Sequence, residues 1–147
     1  APKYIAEACD KMQGQFTSAA SSIAQKAAEA ALTLDNRPTM EMKEAFLRRR
    51  NLVLGLMKDI PGIILNEPKG AFYLFPDVSS YFGKSDGETV IKDASDLCMY
   101  LLHKGHVSLV TGDAFGEPNC LRFSYAAADE KLVEAVKRIR HALSLLK

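Results

Sequence analysis

Apolar residues return every three or four positions over most of the chain, a period typical of amphipathic helices. Helices are predicted over five stretches: residues 3–13, 22–34, 39–60, 94–104 and 129–147. The central stretch has Thr39 as its predicted N-cap, and Pro61 directly follows it as a stop. Gly105 is expected to close the fourth helix.

Four short runs have the composition of β-strands, and we predict strands over residues 63–65, 71–75, 106–110 and 120–126. The first two are separated by a turn-like segment with proline and glycine, which suggests a hairpin. In the last run, CLRFSYA, Leu121, Phe123 and Tyr125 alternate with Cys120, Arg122 and Ser124. The pattern predicts an α/β (α+β-like) fold with a small three- to four-stranded sheet packed against helices.

The helix-breaking sequence Asn36-Arg37-Pro38 interrupts the periodic pattern, and we place a domain boundary there, between residues 1–36 and 37–147. With 147 residues and 48% apolar composition the chain is able to bury a core. Lys and Arg total 19 against 18 for Asp and Glu, so neither a nucleic acid nor a membrane is expected as a partner. The basic run Arg48-Arg49-Arg50 is interpreted as a solvated helix face.

Three cysteines without a CxxC pair favour reduced thiols in a cytoplasmic protein. His103 and His106 lack further ligands at usable spacing, so no metal site is predicted. Glycine-rich phosphate loops and GxSxG nucleophile elbows do not occur in the sequence. Lys26, Lys69 and Lys104 have no acid–base partner nearby in sequence, and none is predicted to form a Schiff base.

Arg122 is an unusual residue for its position, because it lies at the centre of a predicted strand between two apolar neighbours. Its guanidinium presents a rigid fork that matches a carboxylate with two parallel hydrogen bonds. A pocket for a carboxylate and a plain surface position both remain open on this pattern alone.

The order of several motifs resembles a known family. GQFTSAASSIAQKAAEAAL is followed by FLRRRNLVLGLM, EPKGAFYLFPD, GHVSLVTGDAFG and LRFSYA. Together they resemble the C-terminal part of a class I aminotransferase of the aspartate aminotransferase group, on fold type I of the pyridoxal-phosphate enzymes. The resemblance covers essentially the whole chain, and its specificity comes from GAFY, AFG and LRFSYA in that order.

The resemblance implies roles for three residues. Arg122 corresponds to the arginine that binds the substrate α-carboxylate in the family, while Thr17 and Ser18 become candidates for contact with the active site of a partner subunit. It further implies amino-acid and 2-oxo-acid substrates, pyridoxal 5'-phosphate as cofactor, and a homodimer.

In the family, the lysine that holds the cofactor lies upstream of the part that this chain matches. The resemblance therefore implies that residues 1–36 are the end of the large cofactor domain and residues 37–147 the small domain. It implies no catalytic residue in this fragment and no transamination by the isolated chain. Ile5, Ala8, Met12 and Ile23 are then expected to have lost the large-domain surface against which they pack, and to be exposed or buried elsewhere.

Two departures from the family pattern bear on specificity. Many relatives have Pro-Gly where this chain has Thr111-Gly112, and the segment 14–22 holds no arginine for a second substrate carboxylate. Aspartate is therefore favoured as the amino donor, and other amino donors remain open. A free-standing α/β module that binds an amino acid or another carboxylate without chemistry is the alternative.

Overall fold

The computed structural model describes residues 1–17 and 20–147. Its regular elements are α1 (Lys3–Phe16), α2 (Ser22–Thr33), α3 (Arg37–Met57), β1 (Tyr73–Leu74), α4 (Ala94–Gly105), β2 (Val110–Thr111), β3 (Leu121–Ser124) and α5 (Asp129–Ser144), with 3-10 turns at Ser79–Tyr81 and Gly112–Phe115. The chain divides into two compact units, Ala1–Glu41 and Met42–Lys147. This division falls inside α3, and the assignment of residues 1–36 and 37–147 to two enzyme domains stays a prediction.

The first unit holds α1 and α2, neither of which contains a buried residue. Ser21 begins α2 as its N-cap, because its side-chain oxygen accepts the backbone N–H of Ala24 at 3.3 Å. Ile5, Met12 and Ile23 expose 40%, 61% and 83% of their surface. These apolar side chains are thus exposed, as the resemblance implies.

The start of α3 differs from its prediction. Thr39 is not the N-cap, because the helix already begins at Arg37. Asp35 accepts the backbone N–H of Arg37 at 2.9 Å, and Pro38 in the first turn needs no hydrogen-bond partner for its nitrogen. The helix ends at Met57, three residues before the predicted end.

The second unit is built on a three-stranded antiparallel sheet in the order β1–β3–β2. This confirms the predicted fold class. The predicted hairpin of residues 63–65 with 71–75 is wrong: Ile64 pairs with Asp77 in a single bridge, and β1 pairs with β3. Proline at position 68 donates no backbone hydrogen bond, and the segment before β1 runs as a wide loop instead of a tight turn.

One face of β3 lies in the core, as the alternation predicts. Leu121, Phe123 and Tyr125 expose 3%, 3% and 2% of their surface. The same core contains apolar residues of the flanking helices: Val53, Met57, Leu97, Leu101, Leu132, Val136, Ile139 and Leu143. These helix residues recur at the three- and four-residue spacing from which the helices are predicted.

The end of α4 also departs from its prediction. Gly105 is the last helical residue, and His106 adopts the left-handed conformation at the C-cap, with φ of 53°. Gly105 is buried, and a Cβ at this position would lie 3.7 Å from the Cβ of Ala142. This distance is ordinary van der Waals contact, so the packing against α5 does not require glycine at this position, and Gly105 does not close the helix.

The basic run is only partly solvated. The side chain of Arg48 is 61% exposed, but those of Arg49 and Arg50 are 26% and 19% exposed. Asp129, at the start of α5, accepts hydrogen bonds from Arg48 and Arg49 at 3.2 Å. The Arg48 and Arg49 guanidiniums hold the pKa of Asp129 below its usual range, and they join α3 to α5.

Within the part of the chain that the structure describes, none of the helices is both long and apolar enough to cross a bilayer.

Candidate carboxylate site

Arg122 lies on the central strand of the sheet, on the face turned away from the core. It is half-buried, between the buried Leu121 and Phe123. Val110 of β2 is its direct cross-strand partner, and Tyr73 of β1 faces Ser124. Tyr73 is therefore the diagonal neighbour of Arg122 on the same face, a spacing that long and aromatic side chains can bridge.

The guanidinium of Arg122 is surrounded by aromatic rings. Its Cζ lies 4.8 Å from the ring centroid of Tyr73, 5.2 Å from that of Phe115 and 5.7 Å from that of Phe72. Its Nε is buried and has no hydrogen-bond partner among residues 1–17 and 20–147. The side chain is thus held by rings and not by an acid.

The other arginines are different, because every one of them has a hydrogen-bond partner. These are Arg37 with Asp35, Arg48 and Arg49 with Asp129, Arg50 with Pro68 and Asn51, Arg138 with Glu134, and Arg140 with Leu56. An unpaired cation in a half-buried place is costly for a purely structural side chain. Its presence at Arg122 favours a ligand site over a plain surface position.

The sheet order explains why three separate motifs meet here. GAFY leads into β1, AFG follows β2, and LRFSYA contains β3. Since β3 is central, the two flanking motifs reach Arg122 from both sides. Sequence reasoning found the motifs but not the roles of Phe72, Tyr73 and Phe115. The available signal was that each motif carries an aromatic residue.

A strained turn places two of these rings. Ala71 has a left-handed φ of 61°, which is costly for a residue with a Cβ. Tyr125 holds this turn: its hydroxyl donates to the carbonyl of Ala71 at 3.1 Å, and its backbone N–H donates to that of Phe72 at 2.8 Å. Burial raises the pKa of the Tyr125 phenol, so the hydroxyl stays a donor across the neutral range.

A cavity of about 450 Å³ adjoins the aromatic residues. Two of the rings around Arg122 also line it, those of Tyr73 and Phe115. The remaining lining residues are Asn66, Pro68, Gly70, Ala71 and Phe75. Its volume is within the range of small-molecule sites, and its wall is mainly apolar with one amide.

The other two predicted contact residues belong to the N-terminal part of the chain. Thr17 is exposed after α1, where its hydroxyl donates to the carbonyl of Gln13 at 3.1 Å. Ser18 lies outside the described residues. Their contact with a partner subunit therefore stays a prediction.

The lysines of this chain do not fit covalent attachment of pyridoxal phosphate. A Schiff-base lysine needs desolvation or a neighbouring cation. Lys26 is instead exposed and paired with Glu29 at 2.6 Å, and Lys69 is exposed. A hydrogen bond to Glu88 at 2.8 Å raises the pKa of Lys104, which is the wrong direction.

Lys84 is the one described lysine that is half-buried, and the other described lysines are exposed. The ammonium of Lys84 lies 5.0 Å from the ring centroid of Tyr81.

His103 and His106 are both exposed, and no three His, Cys, Asp or Glu side chains of the described residues form a group that could hold a metal.

Comparison with known proteins identifies the family. The sequence model for class I and II aminotransferases matches residues 1–139. The chain belongs to this aminotransferase family. The resemblance in the motifs is thereby confirmed.

Similar curated proteins are aspartate aminotransferases. The chain is 48% identical to the bifunctional aspartate aminotransferase and glutamate/aspartate-prephenate aminotransferase of Petunia hybrida, over 99% of this chain and 31% of the relative. It is 43% identical to the aspartate aminotransferase of Pinus pinaster, over 99% of this chain and 30% of the relative. The chain thus spans a little under a third of these relatives.

A solved structure of an aspartate aminotransferase is also similar to this chain. The aspartate aminotransferase of Rhizobium meliloti superposes with a TM-score of 0.87 and 38% identity, over 100% of this chain and 37% of that one. The chain therefore spans a little over a third of that structure.

Proposed function

We propose that this chain is the C-terminal part of a pyridoxal-phosphate-dependent aminotransferase that moves an amino group between an amino acid and a 2-oxo acid. Arg122 is its binding residue for the substrate α-carboxylate. The observation that carries the proposal is the buried Nε of Arg122, which has no hydrogen-bond partner among the described residues. The guanidinium packs against Tyr73 and Phe115, two rings that also line a cavity of about 450 Å³.

The charge and shape of Arg122 suit this role. Each amino-acid and 2-oxo-acid substrate carries a carboxylate next to its reacting carbon. A planar fork that binds both oxygens fixes the position of that carbon, and fixed position is a large part of the rate that an enzyme adds. Arg122 is held by a central strand, which restricts its movement more than a loop would.

Pyridoxal phosphate supplies the electron sink for chemistry at the substrate α-carbon. Because no lysine of the described residues fits its covalent attachment, we assign attachment to residues other than these. Transamination by the isolated chain is not expected. A homodimer in the cytoplasm, with Thr17 and Ser18 reaching toward the partner's site, is part of the same proposal.

The aspartate aminotransferase relatives favour L-aspartate and 2-oxoglutarate as first substrates to assay. We would express the protein from its complete reading frame and measure oxaloacetate formation for the parent and for Arg122→Leu. Loss of a charge-assisted pair costs about 3 kcal/mol, so kcat/KM is expected to fall roughly a hundredfold. Arg122→Lys keeps the charge but not the fork and should recover only part of this loss.

Arg138→Leu is the matched control. Arg138 is 46% exposed and pairs with Glu134 on the surface of α5, so its removal should leave kcat/KM unchanged. Equal activities for Arg122→Leu and Arg138→Leu would refute the role of Arg122. Carboxylate binding without any transamination by the intact protein would favour the binding-module alternative.

A further inference from the structure

The half-buried side chain of Arg122 is held by aromatic rings and not by an acidic partner. Its guanidinium packs on Tyr73, Phe72 and Phe115 and has no hydrogen bond to the described residues. An aspartate or glutamate in the same place would order the guanidinium equally well. It would also occupy the donors and cancel the charge that a carboxylate ligand needs.

Aromatic faces avoid this conflict. The negative face of a ring attracts a cation through its quadrupole, and it leaves the N–H donors of the cation free. Three rings at 4.8 to 5.7 Å therefore stabilise the charged guanidinium without competing for its hydrogen bonds. The attraction grows when water is excluded, as it is around the buried Nε.

The rings are themselves held by one another. Tyr73 packs edge-on against Phe72, with centroids 6.1 Å apart, and against Phe75 at 6.4 Å. Phe75 packs edge-on against Phe115 at 5.9 Å. Edge-to-face pairs of this kind have a preferred geometry. Tyr73 contacts both Phe72 and Phe75, and it is also the ring nearest the cation.

The orientation of the guanidinium follows from what is buried. Nε is buried and has no partner, whereas neither terminal nitrogen is among the buried atoms that lack a partner in the described residues. The residue as a whole is only half-buried. The fork formed by the terminal nitrogens is therefore the one available to a ligand.

We propose that Tyr73, Phe72 and Phe115 form an aromatic clamp that takes the place of an acidic partner and holds Arg122 with Nε inward and both terminal nitrogens directed at the substrate carboxylate. This inference rests on the proposed function of Arg122 and adds three positioning residues to it. Tyr73 is the central one, and its ring, not its hydroxyl, is the active feature.

The clamp can be tested without any ligand by NMR of the Nε–H groups in this chain. Arg122→Lys assigns the Arg122 signal. We expect that signal to be shifted by the ring currents and protected from solvent exchange relative to that of Arg138. Tyr73→Leu should remove the ring-current shift and the protection, whereas Tyr73→Phe should keep both.

Phe115→Leu gives an independent test, because Phe115 is 48% exposed and its truncation should not unfold the chain. It is expected to reduce the same shift and protection. An Arg122 signal that is unchanged in both Tyr73→Leu and Phe115→Leu, in spectra with native amide dispersion, overturns the clamp whatever the activity of the protein.

Kinetics of the protein expressed from its complete reading frame test the consequence. Tyr73→Leu should raise KM about tenfold with a smaller change in kcat, because it disorders a binding group, and Tyr73→Phe should restore KM. A loss confined to kcat contradicts the positioning role. If the clamp signals are present but Arg122→Leu leaves kcat/KM unchanged, the proposed function fails, and the role of the clamp in substrate binding fails with it.

Discussion

Substitution of Gly112 tests whether a close backbone approach at this residue fixes the turn that carries Phe115 to the candidate site. It is buried at the start of the 3-10 turn Gly112–Phe115, which carries Phe115 to the guanidinium. Its N–H donates to the carbonyl of Cys120 at 2.8 Å, and its own carbonyl accepts the N–H of Glu117 at 3.1 Å. The turn is thus tied to the chain that leads into β3.

The perturbation is Gly112→Ala. An added Cβ would lie inside van der Waals contact of the Glu117 carbonyl oxygen and 2.6 Å from that of Cys120. Both obstacles are backbone atoms, so a side-chain rotation does not relieve the clash. Overpacking of this kind costs about 3 kcal/mol, and the backbone must move to accommodate the methyl group.

Gly55→Ala is the matched control, since it adds the same methyl group. Gly55 lies within α3, and a Cβ there meets nothing within 4 Å. Alanine in an exposed helix interior is more favourable than glycine by about 0.5–1 kcal/mol, so this variant should be slightly more stable than the parent. The two substitutions are expected to change stability in opposite directions.

Urea unfolding followed by near-UV circular dichroism of tyrosine measures both effects. The chain has no tryptophan, and four of its 5 tyrosines belong to the unit Met42–Lys147, so the signal reports mainly on that unit. With an m-value of about 2 kcal/mol/M, Gly112→Ala should lower the midpoint by roughly 1.5 M. A midpoint within about 0.25 M of the parent value would refute the reasoning from the close approach.

Two further predictions concern titratable groups. Asp129→Asn should make the free energy of unfolding less sensitive to acid pH. Hydrogen bonds from two arginines of α3 lower the pKa of Asp129 in the folded state. The stability that this carboxylate contributes is therefore present above its unfolded-state pKa and is lost as the pH falls through its folded-state pKa. Urea midpoints at pH 7 and pH 3 check this, and equal pH dependence in the parent and the variant would contradict it. With a thiol reagent at pH 8, Cys9 should react first, because it is exposed, whereas burial raises the pKa of Cys98 to about 11. Peptide mapping after partial labelling identifies the thiol, and early labelling of Cys98 would argue against its burial in solution.

Local pattern predicted much of this fold because the relevant forces act locally. Helical period and helix-breaking residues located the five helices, with errors of a few residues at their ends. Strand alternation placed Leu121, Phe123 and Tyr125 in the core and Arg122 on the opposite face. Side-chain period is a property of the backbone geometry, so it can be read without knowledge of the partners.

The pairing of the strands in the sheet could not be predicted from local pattern. The segment 63–65 has strand composition, but it gained only the bridge between Ile64 and Asp77, because β3 paired with β1 on one side and β2 on the other. Which strand becomes central depends on contacts between distant segments. The caps of α3 and α4 were missed for a related reason. Gly105 stays within the helix and is buried, and His106 takes the left-handed C-cap position instead.

The sequence by itself determined that Arg122 is a cation on the outward face of a strand, and it supplied motifs specific enough to indicate the family. Only the tertiary structure decided what surrounds that cation. Phe72, Tyr73 and Phe115 are separated along the chain, and they meet at one guanidinium because the sheet order places β3 between the segments that carry them. Strand periodicity fixes the direction of a side chain, whereas its neighbours depend on long-range strand pairing, which no local pattern encodes.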